Sequence, residues 1–226
     1  DIAAGRKKMD DHQWSQLHAL YDGEVEHMDQ CFGMLEDGLA AAGLAESTAI
    51  VITADHGEGM GERERLGHAY GHFAELSNVP FVVFAPELQG PVNVETVTGH
   101  LDVAPTVLDL LGVDPSPKIQ GSTVLPLIRR AGHWTPRVAS TEYGRSYSLR
   151  ARTWKLIVDY GGNEQLFDVI ADPLDSTDVL SGSPIPLRYM RDMSGFFLRH
   201  RSQWRTATWG TLNDHSPEFA NQSSSN

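Results

Sequence analysis

The sequence predicts an α/β protein whose later part is a small antiparallel β unit. Three observations carry that prediction. A long helical stretch is followed by two short, continuous apolar runs rich in β-branched and aromatic residues. A compact helix with recognisable end signals comes next. After about residue 130 the pattern changes to short strand-like runs that meet at glycine turns.

Residues 10–42 read as one helix. Trp14, Leu17, Tyr21, Met28, Phe32, Leu35 and Leu39 recur at steps of three, four and seven, the stripe of a helix packed on one side. Cys31 falls beside that stripe, which predicts an inert core thiol. Gly43 fits the residue just past the helix end. Ala49–Thr53 and Val79–Ala85 read as strands buried on both faces of a parallel sheet. Asp102, Pro105 and Gly112 mark a helix between them, with Asp102 as its N-cap. Val138–Tyr143, Ser146–Arg150, Thr153–Tyr160 and Gln165–Val169 read as a meander turning at Gly161-Gly162, with Asp168 near a strand end. A further helix carries Leu187, Met190, Phe197 and Leu198, and the chain from about Thr206 to Asn226 is a polar tail. The expected division is therefore 1–135, an α/β unit; 136–205, a small β unit with its helix; and 206–226, the tail.

Composition narrows the function. The chain has 226 residues, 40% hydrophobic and 21% charged, enough for a substantial core. No apolar run approaches the roughly 20 residues that span a bilayer. One cysteine excludes an intrachain disulfide and a four-cysteine zinc site. Residues 1–130 hold 20 acids and 8 bases, a surface that repels nucleic acid and anionic membrane. Arg188, Arg191, Arg199, Arg201 and Arg205 read as a solvated helix face. There is no nucleophile elbow, phosphate loop or dinucleotide fingerprint.

The chemistry concentrates at Ile50–Glu62, where a strand runs directly into Asp55, His56 and three glycines. In open α/β sheets, ligands sit at the carboxyl ends of strands. A carboxylate oxygen beside a neutral imidazole suits a divalent cation such as Zn²⁺ or Mn²⁺, with Ca²⁺ or Mg²⁺ less comfortable next to nitrogen. The two residues are expected side by side, facing an open cleft. Four coordination positions require at least two more ligands. Of the histidines that follow, His68 suits a ligand, a general acid or an anion clamp, His72 a supporting or structural role, and His100 lies further on.

These residues resemble the sulfatase family of the alkaline phosphatase superfamily. Tyr21–Asp29, Ile52–Glu58, Asn78–Val83 and Asp102–Gly112 are similar to family stretches and occur in the same order. Trp154–Ile157 with Glu164–Pro173 resembles the family's small C-terminal β subdomain. The resemblance implies the C-terminal part of an alkaline-phosphatase-like α/β sandwich. Asp55 and His56 map onto the later half of the family's metal-ligand set, and His68 stands where many members carry a lysine. The two early aspartates and the nucleophile have no counterpart in this sequence. The implied function is a metal-dependent sulfuric ester hydrolase acting on a sulfate or phosphate ester and completed by an N-terminal half, in cis or as a second chain. A phosphoric ester hydrolase or a phosphoethanolamine or phosphoglycerol transferase of the superfamily is the alternative; a non-catalytic module of this fold is the third reading.

Overall fold

A computed structural model describes residues 8–130 and 137–208, with side chains described as far as Arg199. The expected 135/136 boundary, the tail beyond Thr208 and the side chains of Arg201 and Arg205 lie outside the described residues.

Helix α1 spans Asp11–Ala41. Asp10 caps it: its Oδ1 accepts from the Gln13 N–H at 2.8 Å, while Gln13 Oε1 accepts from the Asp10 N–H at 3.1 Å. The end is closed by Leu44 N–H donating to the Leu39 carbonyl at 2.9 Å. None of its residues is buried. The stripe predicted from its periodicity is real as a pattern, but Tyr21, Met28 and Leu35 are exposed. Phe32 touches Phe84, with ring centroids 6.0 Å apart. Cys31 is also exposed, 3.8 Å from His27 Nε2, which corrects its expected place in a core. Periodicity shows which face is apolar; only the neighbouring elements decide whether that face is covered.

Strands β1 (Ile50–Thr53) and β4 (Phe81–Phe84) form the first sheet. They pair antiparallel, with Ile50 opposite Phe84 and Thr53 opposite Phe81. The expectation of a parallel sheet buried on both faces is therefore corrected. Among the described residues this sheet has two strands, and Val82 and Phe84 are exposed. Between these strands come the short pair β2 (Gly59–Met60) and β3 (Leu66–Gly67) and the one-turn helix α2 (Ala74–Ser77).

Helix α3 (Val103–Leu110) follows, then α4 (Leu125–Ile128). Asp102 precedes α3 as predicted, but its side chain caps no helical N–H. It accepts from Gly99 N–H and Ser122 N–H, both at 2.9 Å, and from Arg137. Thr106 instead bonds back to the Asp102 carbonyl and accepts from Val124 N–H, which ties α3 to α4.

Strands β5 (Val138–Tyr143), β6 (Ser146–Ala151), β7 (Trp154–Val158) and β8 (Glu164–Asp168) form an antiparallel sheet in chain order, as the meander predicted. Asp168 is the last residue of β8. Side chains alternate across this sheet. Leu149, Leu156, Val158 and Leu166 pack on Leu187 and Met190 of α5 (Pro184–Thr208). Ile157, Phe167 and Val169 pack on the other side against Phe73. The sheet is thus held between α5 and the segment that follows β1.

Candidate metal centre

Strand β1 ends at Thr53, and Asp55 and His56 stand immediately beyond it. Asp55 Oδ1 accepts from the His56 backbone N–H at 2.9 Å, which turns the carboxylate toward its neighbour. Asp55 Oδ2 lies 3.6 Å from His56 Nε2. His56 Nδ1 lies 2.8 Å from the Gly57 carbonyl, which can only accept. The Nδ1 proton is thereby fixed, and Nε2 presents its lone pair on the side of Asp55. Two donors on one cation with bonds of roughly 2 Å stand about this far apart, so the pair fits a divalent ion. Both side chains are exposed, Asp55 at 89% and His56 at 44%. They stand on open surface; a hollow of about 790 Å³ lies instead along β4, lined by Leu39, Ile50 and Phe81–Ala85. With these exposures the described residues leave the pair open rather than enclosed.

The loop after His56 turns back under glycines that cannot be replaced at no cost. The Gly57 N–H donates to the Leu76 carbonyl at 2.9 Å, and a Cβ on Gly57 would sit 2.0 Å from the Glu75 carbonyl oxygen. A Cβ on Gly59 would sit 1.9 Å from the Tyr70 hydroxyl. Close backbone approach is thus why Gly57 follows the Asp-His pair, while at Gly59 the Tyr70 side chain fills the space.

This turn brings His68 back over the strand end. Its ring centroid is 4.1 Å from that of His56, with the planes at 32°. Its Nδ1 is 2.9 Å from Glu58 Oε2. His56, Glu58 and His68 each offer one donor atom within 4.8 Å of the others. Glu58 was not singled out by sequence, although it stands two residues after His56 across a single glycine; only the β2–β3 turn reveals its contact with His68. His100 is likewise brought in, its Nε2 2.6 Å from the Ala54 carbonyl.

His72 does not join this group. It is buried, 4% exposed, among hydroxyls. Ser146 Oγ donates to the Tyr143 carbonyl, so it accepts from His72 Nε2–H at 2.9 Å. His72 Nδ1 then accepts from Thr141 Oγ1 at 2.8 Å. The bonds fix a neutral imidazole. Burial pushes its pKa below the ordinary histidine value, with the Lys155 charge as a second cause. Tyr70, which donates to Glu75 Oε1 at 2.9 Å, is pushed well above the usual phenol range by burial and by that hydrogen bond.

The family model described as Sulfatase matches residues 2–113. The choline-sulfatase of Rhizobium meliloti (strain 1021) is 29% identical over 166 residues, covering 70% of this chain and 32% of that protein. Arylsulfatase K of Mus musculus is 26% identical over 193 residues, covering 78% of this chain and 35% of that protein. Among solved structures, the phosphonate monoester hydrolase from Silicibacter pomeroyi aligns with a TM-score of 0.71 at 23% identity, covering 88% of this chain and 43% of that chain. The fold is therefore of the alkaline-phosphatase-like α/β class, with a small antiparallel sheet beside it. Over residues 2–113 the chain matches the sulfatase family, and the curated relatives named above are sulfatases. It spans about a third of the length of the curated relatives it matches.

Proposed function

We propose that this chain forms part of a divalent-metal-dependent sulfuric ester hydrolase, to which it contributes two metal ligands, Asp55 and His56, and an acid or anion-stabilising group, His68. The observation that carries the proposal is the strand-end pair: His56 Nε2 stands 3.6 Å from Asp55 Oδ2 while His56 Nδ1 is committed to the Gly57 carbonyl. The donor set favours Zn²⁺ or Mn²⁺ over Ca²⁺ or Mg²⁺. Such a cation supplies Lewis-acid polarisation of ester oxygens when bound. His68 keeps its Nδ1 proton on Glu58, so in its protonated form the proton it can give to a departing oxygen is the one on Nε2.

The remaining ligands and the nucleophile are assigned to a segment outside this chain, in cis or as a second chain. In this proposal the metal half-site lies in a unit spanning 1–135, and 136–205 forms a separate small unit. The isolated chain then turns over neither aryl sulfate nor aryl phosphate. In the completed protein, aryl-sulfate turnover depends on added cation and falls to background with Asp55→Ala. The phosphate arm of the assay decides which ester the site prefers. Metal-dependent turnover by the 226-residue chain alone, lost with Asp55→Ala, would defeat the half-site assignment. Zn²⁺ titration of the same chain separates two ligand sets. Weakening by Asp55→Ala supports the strand-end pair; weakening by Glu58→Gln alone supports the His56–Glu58–His68 trio instead.

A further inference from the structure

The loop that carries His68 is fastened on its far side to the C-terminal sheet by charged groups. Arg63 is the centre of that fastening. It donates to Glu75 Oε1 at 2.6 Å and to the backbone carbonyls of Leu174 at 2.9 Å and Asp175 at 2.5 Å. Its guanidinium lies 3.8 Å from the centroid of the Phe73 ring. Lys155, on β7 and with its side chain only 5% exposed, makes the second fastening. It donates to Asp175 Oδ2 at 2.6 Å and to Ser77 Oγ, at the end of α2, at 2.9 Å. Asp175 is thus held by its side chain from the sheet and by its carbonyl from the loop.

The backbone at this junction is unusual. Arg63, Glu64 and Asp175 have φ of 54, 54 and 52°, in the left-handed region that non-glycine residues rarely occupy. Such residues persist where their surroundings over-determine them. A buried ion pair is a poor device for stability alone, because apolar residues of similar volume serve at least as well. What a guanidinium fork and a buried ammonium supply is a fixed geometry.

We propose that Arg63, backed by Lys155 and Asp175, is a positioning residue for His68, a latch by which the C-terminal sheet sets where the His68 loop stands over Asp55 and His56. The inference rests on the roles proposed above for those three residues. The latch hydrogen bonds reach none of them, so the effect runs through the loop.

The test uses the 226-residue chain without metal. Its variants are Arg63→Met, Arg63→Lys and the paired Lys155→Met/Asp175→Asn, which removes both buried charges together. The readouts are amide hydrogen exchange and the imidazole proton resonances of His68, assigned by their loss in His68→Gln. Arg63→Met is expected to speed exchange over residues 62–70 by about tenfold or more while residues 149–158 stay within about twofold of the parent. It also shifts the His68 resonances, and Arg63→Lys, which keeps the charge but not the fork, restores part of that shift. If Arg63→Met does not fold, the paired variant carries the same expectation for residues 62–70 and His68, with residues 146–151 of β6 as the reference because Lys155 itself lies in β7. Unmoved His68 resonances, or equal acceleration in loop and sheet, overturn the latch. Neither readout involves metal or turnover. An Asp55→Ala change without effect on Zn²⁺ affinity would therefore count against the catalytic reading alone.

Discussion

At the scale of single residues, exposure separates chemistry from structure. Asp55 is 89% exposed, so Asp55→Ala is expected to change unfolding free energy by no more than about 0.5 kcal/mol. Its whole effect should fall on cation affinity, measured by titration calorimetry beside a urea melt. His72 behaves in the opposite way. It is buried and donates to one hydroxyl while accepting from another, so His72→Ala should cost about 2–3 kcal/mol of stability. The direction of its pKa also predicts a pH dependence. The folded pKa lies below the ordinary 6.5, so below that pH the unfolded chain binds the proton more readily. The stability that neutral His72 confers is complete above about 6.5 and lost as pH falls toward the folded pKa. Urea midpoints at pH 5 and 7.5 should differ more in the parent than in His72→Gln, whose amide donates near the Nε2 position. Equal differences in the two proteins would remove His72 from the acid response.

At the scale of elements, the turn between β1 and α2 is the most constrained part of the site. A Cβ on Gly57 would overlap the Glu75 carbonyl, and backbone cannot swing aside as a flexible side chain can. Gly57→Ala is expected to destabilise by about 2 kcal/mol or more and to shift the resonances of His56 and His68 together. Gly23→Ala, in the middle of α1 with open space around it, should instead stabilise by roughly 0.5–1 kcal/mol. Thermal melts of the two variants give opposite signs if backbone approach, rather than glycine flexibility, is what matters at residue 57.

At the scale of the whole molecule, apolar surface is distributed unevenly. The C-terminal sheet is covered on both faces, with Leu149, Leu156 and Leu166 fully buried. By contrast, Leu20, Val25, Met28, Met34 and Leu35 of α1 and Val82 and Phe84 of β4 are exposed. An apolar face exposed beside a strand pair that has no further strand among the described residues is a surface for association. The isolated chain is expected to self-associate at micromolar concentration, and Val82→Lys to reduce the effect. Sedimentation velocity checks both. A monomer at all concentrations would show that α1 covers more of this face in solution.

Sequence alone determined the longer elements and the chemical types, but not the short β2, β3, α2 and α4. The periodicity of α1 with Gly43 past its end, the β-branched runs of β1 and β4 and the glycine turn before β8 each act through neighbours a few residues away, so a linear pattern specifies them. The Asp-His pair at a strand end was legible for the same reason. Tertiary structure decided the rest. It set β1 and β4 antiparallel, left Cys31 and the α1 stripe exposed and turned Asp102 from helix cap to hub. It also placed Glu58 against His68 and joined Arg63 to Asp175 across more than a hundred residues. Burial, register and long-range hydrogen bonds depend on which elements meet, and a local pattern of side chains carries no information about its partners across space.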